Sequence, residues 1–196
     1  IPSVLVVLGL LLSTATVQRV LAQTSTVYLP LISSKSKTCA SNVASTPFGL
    51  QMYSNTSKSS SYHSDLIASS ASWVRVYVNW AEAEPVNTTP DKFDWSKADL
   101  ALGAALDGCL NMLAVITAPP SFAYLHPPTY SEVINPNNLD DFAEFVQALV
   151  ERYDGDGVSD APGSPVVKDW EFFNEPDGLS APNADNWGDH GTEYAA

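Results

Sequence analysis

The sequence predicts the α/β class, a parallel sheet covered by helices. Three observations carry this. Apolar runs rich in β-branched or aromatic residues recur at Phe48–Met52, Trp73–Val78, Asn111–Thr117 and around Trp170. Two of the intervals between them hold a one-faced helical pattern: Trp95, Ala98, Leu102, Ala105, Leu106 and Cys109 in the first, Leu139, Phe142, Val146, Leu149, Val150 and Tyr153 in the second. Both sets step by three, four, three, one and three residues. Strands that alternate with one-faced helices form a parallel sheet buried under its crossovers.

In chain order, Ile1–Leu12 is a nearly unbroken apolar run. It is too short to span a bilayer. It is expected to be the core of a secretory signal, already under way at Ile1 and cut after Ala22. Residues 1–22 are thus read as a truncated signal peptide and the protein as secreted. Residues 23–46 are rich in Ser and Thr and lack periodicity, which predicts a linker. The folded part is expected over residues 47–196. Its first strand is followed by a short helix over Tyr62–Ala71. Asp94 and Asn138 stand where the two long helices need N-caps, and Gly108 and Gly155 where they stop. Export permits a disulfide, and Cys39 and Cys109 can pair.

Charge excludes some partners. With 22 Asp+Glu against 9 Lys+Arg, the chain is unsuited to nucleic acid or an anionic membrane surface. His63, His126 and His190 lack ligand-like spacing, so no metal and no cofactor is implied.

Two parallel architectures compete, an open doubly wound sheet and a barrel. The turn after the first strand, Tyr53–Ser57, has no glycine-rich phosphate cradle, so the dinucleotide-binding form loses its main support. The barrel is favoured by the loops at the strand ends. Trp80, Glu82 and Glu84-Pro85 follow the second strand, Phe122, Tyr124 and His126 the third, and Trp187 the fourth. Aromatic faces there suit stacking on sugar rings. A full TIM (β/α)8 barrel takes roughly 250 residues. Residues 47–196 are therefore expected to hold only its first half, about four β/α units.

The fourth run ends on Asp169-Trp170-Glu171-Phe172-Phe173-Asn174-Glu175-Pro176-Asp177. Pro176 cannot donate to a ladder, so the strand must end there or just before. Asn174 and Glu175 then sit at the carboxyl end of a strand, the end where parallel α/β proteins bind ligands. Strand-Asn-Glu-Pro resembles the end of the fourth barrel strand in clan A of the glycoside hydrolases. Arg75-Val-Tyr-Val-Asn-Trp80, Glu84-Pro85, Phe93-Asp94-Trp95 with Asp99, and Ala118-Pro119-Pro120 follow in the order of that clan. The pattern is similar to family 39, with families 5 and 42 as near alternatives.

The resemblance implies a retaining hydrolase of O-glycosidic bonds that acts on an oligo- or polysaccharide. It makes Glu175 the general acid/base and Asn174 the ligand of the sugar hydroxyl beside the reacting carbon. Arg75 matches the second-strand arginine beside the nucleophile, and Trp80, Phe122 and His126 are taken as substrate-binding. The nucleophile would be a second Glu on a seventh strand. Glu171 is excluded from that role: four residues at about 3.3 Å put it roughly 13 Å from Glu175, whereas a retaining pair needs about 5–5.5 Å. It is expected to pair with Arg75 instead. Two rival readings stay open. One is a non-catalytic carbohydrate-binding or scaffold protein with a barrel-like domain. The other is a different α/β enzyme in which Asn-Glu-Pro is only a turn.

Overall fold

The structure is a computed structural model and describes residues 46–194, apart from 54, 55 and 58. The expected leader and linker, with Cys39, lie outside the described residues except for Thr46. The elements run β1 Gly49–Met52, α1 Ser61–Ala68, β2 Trp73–Asn79, the single turn α2 Trp80–Ala83, α3 Ser96–Asp107, β3 Asn111–Thr117, β4 Tyr130–Ser131, α4 Leu139–Arg152, β5 Asp169–Phe172, β6 Ala184–Asp185 and α5 Gly191–Tyr194. The fold is mixed α/β. Four strands form a parallel sheet in the order β1-β2-β3-β5, and β4 and β6 pair separately, also parallel.

Strand alternation divides the sheet into two faces. In β2, Val74, Val76 and Val78 are buried and share one core with Met112, Ala114 and Ile116 of β3 and with residues of the helices. Arg75 and Tyr77 point the other way. The register sets Arg75 beside Gln51 of β1 and Leu113 of β3, and Val115 beside Glu171 of β5. Gln51, Arg75, Tyr77 and Glu171 therefore lie on the face away from the helices.

Helix α3 turns a small-residue side to the sheet. Ala98, Ala101, Leu102, Ala104 and Ala105 are all buried. Asp99 ties this helix to α4: it accepts from Arg152 Nε and Nη2 at 2.8 and 2.6 Å and from the Tyr153 hydroxyl at 2.8 Å. The buried face of α4 differs from the expected one. Leu139 and Val150 are 45% and 38% exposed, while Phe145, absent from the expected set, is fully buried. Its ring stacks on Trp80 at 5.5 Å and on Trp95 at 5.9 Å between centroids. Phe145 and Leu149, one turn apart, centre the stripe, because the largest ring takes the deepest place.

The helix ends refine the expected caps. Asp94 lies one residue before the N-cap Trp95 and accepts from Ser96 N at 2.9 Å. Asn138 is the N-cap of α4, yet its side chain donates to Asp141 at 2.8 Å instead of accepting from the backbone. At Gly108 the backbone stays right-handed, and the left-handed residue is Cys109 (φ 57°). A Cβ at Gly108 would lie 2.1 Å from Ile67 Cδ1, so the exposed Ile67 side chain would have to turn aside. Cys109 is disulfide-bonded.

Candidate functional site

The site grows from the end of β5. The strand stops at Phe172. Phe173 N still donates to Ile116 O at 2.8 Å, but Phe173 adopts φ 64° and Glu175 φ 49°. Two non-glycine residues in the left-handed region within three positions are uncommon, and such outliers gather where a site constrains the backbone. The turn breaks the extended run from Glu171 to Glu175 on which their expected separation of roughly 13 Å rests. Phe173 swings into the core, where it stacks on Phe142 and meets Trp187. Asn174 comes round to the face that carries Glu171. Beyond it, Gly178 N donates to Glu175 O at 2.9 Å and closes the turn. Gly188 closes on the same turn, since a Cβ there would meet Asp177 O and Gly178 O at 2.5 Å.

Arg75 organises what Asn174 reaches. Across the intervening β3, its Nε and Nη2 donate to the two oxygens of Glu171 at 2.9 and 2.5 Å. Nη1 donates to Gln51 Oε1 at 2.9 Å and to the Tyr77 hydroxyl at 3.0 Å. Nη2 and the Tyr77 hydroxyl both donate to Asn174 Oδ1 at 3.1 Å. The planar guanidinium suits this forked arrangement. The pair shapes its own charge states: hydrogen bonding to Arg75 lowers the Glu171 carboxyl below its ordinary range, and Glu171 raises the guanidinium further above its own. The side chains are 26% and 35% exposed, so both remain in contact with solvent.

The structure brings Arg75, Glu171 and Asn174 together, with Glu175 next in sequence and exposed. It places the remaining expected residues elsewhere. Trp80 is 1% exposed, packed among Phe122, Phe142 and Phe145, and donates its Nε1 hydrogen to Glu84 at 2.8 Å. It has no face to offer a ligand, so the expectation that it stacks on substrate is corrected. The cause is the stripe of α4, which lays Phe142 and Phe145 on it, with Phe122 added from the turn after β3. Phe122 is half-buried and sits edge-on to Trp80. His126 is exposed and faces Asp185 at 3.2 Å, next to the β4–β6 pairing.

Tyr77 was not among the expected site residues. It stands two positions after Arg75 on one strand, so alternation alone assigns it to the same face. Gln51 is found only through register. Glu84 is 2% exposed, and burial raises its carboxyl above the ordinary range, with the acidic neighbours Asp91, Asp141 and Glu144 adding to the effect. Asp154, Asp156 and Asp160, after α4, bring one oxygen each within 4.8 Å of the others. Their carboxylates accept backbone N–H bonds that hold this loop's turns, from Asp156, Val158 and Gly157.

No protein-family model matches the chain, and no curated protein matches it.

Proposed function

We propose that the chain carries the first four β/α units of a TIM barrel and that the full-length protein is a secreted retaining glycoside hydrolase. The observation that carries the proposal is the convergence at the end of β5. Asn174 is held by Arg75 and Tyr77, Arg75 is paired with Glu171, and Glu175, the next residue and exposed, follows at the carboxyl end of a parallel sheet. The strand order β1-β2-β3-β5 follows chain order without reversal, and so gives no switch point for a doubly wound sheet.

On this reading Glu175 in its acid form protonates the leaving oxygen of the glycosidic bond and then takes a proton from the water that releases the sugar. Asn174 donates to the adjacent sugar hydroxyl. The Arg75–Glu171 pair holds the floor of the site. The nucleophile is a second carboxylate, and no residue of this chain is assigned to it. The substrate is an oligo- or polysaccharide. No cofactor enters.

Leaving-group dependence tests the assignment. Glu175→Gln in the full-length protein keeps the shape and removes the proton. Glycosides with poor leaving groups are expected to lose roughly 10²–10⁴-fold in kcat/KM, and those with strongly acidic phenols much less. An equal loss on both classes contradicts the acid role.

A further inference from the structure

The hydrogen-bond donors around Asn174 fix which way its amide faces, and Tyr77 is the residue that completes the lock. A guanidinium has no acceptor, so the Asn174 atom 3.1 Å from Arg75 Nη2 is the oxygen. The Tyr77 hydroxyl accepts from Arg75 Nη1 at 3.0 Å and therefore spends its own hydrogen on Asn174 Oδ1 at 3.1 Å. Both lone-pair directions of Oδ1 are then filled. Asn174 Nδ2 makes no hydrogen bond to a described residue, so it presents two N–H donors and no acceptor. The backbone holds the amide in place on both sides, with Phe173 and Glu175 both left-handed.

We propose that Tyr77 is a positioning residue that, with Arg75, makes Asn174 a donor-only contact. The inference rests on the glycosidase reading and adds a selectivity to it. The site takes a ligand oxygen that accepts a hydrogen bond, such as a neutral hydroxyl on the carbon next to the scissile one. It rejects a protonated amine at that position, because an ammonium has donors only and would face two N–H groups. Net charge works the opposite way. A formal charge of −13 attracts cationic sugars in general, so rejection of an ammonium would have to arise locally.

Substrate analogues test this in the full-length protein. The comparison is kcat/KM for an aryl glycoside with its 2-hydroxyl, for its 2-deoxy counterpart and for its 2-amino-2-deoxy counterpart. Tyr77→Phe keeps the ring beneath Arg75, which lies 5.1 Å from the ring centroid, and removes only the hydroxyl. The ratio of 2-hydroxy to 2-deoxy kcat/KM is expected to fall roughly tenfold in Tyr77→Phe, as for the loss of one hydrogen bond. A merely structural role would lower both substrates together and leave the ratio unmoved, which overturns the proposal. Equal wild-type rates on the hydroxy and ammonium sugars overturn the selectivity. A second readout needs no turnover. The Asn174 side-chain ¹⁵N order parameter is expected to be that of a rigid amide in the wild type and to drop in Tyr77→Phe, and an unchanged value overturns the lock. If the wild type hydrolyses none of the three glycosides, the glycosidase reading fails, and the order parameter alone decides the positioning claim.

Discussion

At the scale of single residues, the Arg75–Glu171 pair makes a signed prediction. Glu171 titrates below its ordinary range in the folded protein because it accepts from Arg75. A depressed carboxylate contributes stability above its unfolded pKa, and that contribution is lost as pH falls through the folded pKa. Arg75→Met should therefore lower the urea midpoint at pH 7, and the difference from wild type should shrink as pH falls below about 4, the ordinary carboxylate range. A difference of the same size at pH 3 and pH 7 would mean that Arg75 acts through packing alone. Glu84 has the opposite sign. Burial raises its pKa, so its ionised form opposes folding as pH rises through the unfolded value towards the folded one. Glu84→Gln keeps an acceptor for Trp80 Nε1 and removes the charge, so its melting temperature at pH 7 should equal or exceed that of wild type. Glu84→Leu strands the indole N–H and should cost about 1–3 kcal/mol. Arg75 and Glu171 were legible as partners because two positions on strands of known direction can be placed by alternation and reach. Tyr77 follows from the same alternation, two positions after Arg75, whereas Gln51 needs the register of β1 against β2, which no single stretch of sequence carries.

At the scale of elements, the strands were the most legible part. The third runs from Asn111 to Thr117 as its β-branched run and the following prolines require. The helices were legible as helices, and less so in their buried faces. The steps shared by α3 and α4 suggested one face used twice, but Phe145 lies outside that set and is the centre of the aromatic core. Periodicity marks a stripe, whereas the position of the bulkiest ring within it depends on the partners Trp80 and Trp95, which are distant in sequence. Phe145→Ala should then cost about 3–5 kcal/mol. Val150→Ala, on a side chain 38% exposed, should cost far less. Comparable losses in chemical denaturation would restore the expected face. The end of β5 was half legible. Pro176 gave only an outer bound: the strand stops four residues earlier, at Phe172, where the left-handed turn at Phe173 packs against Phe142 and Trp187, which local sequence does not record.

At the scale of the whole molecule, the described sheet has two edges, β1 and β5. Unpaired edge groups invite another strand. Near β1, Phe48 is 74% exposed and Leu50 is 40% exposed. The 196-residue chain should therefore self-associate, with a mass in sedimentation that rises with concentration. A monomer at all concentrations would show that these edges are covered by something other than a second copy. Among the described residues, no helix is long and apolar enough to cross a membrane. The parallel sheet was legible because strand and helix patterns alternate along the chain.

The assignment of Glu175 as acid/base is tested most directly by azide. In the full-length protein, Glu175→Ala with an activated aryl glycoside should turn over slowly. Added azide should raise the rate and give a glycosyl azide with the configuration of the substrate, because the small anion attacks where the Glu175-activated water would have stood. No rate increase and no glycosyl azide, with the variant folded and the wild type active, would contradict the account.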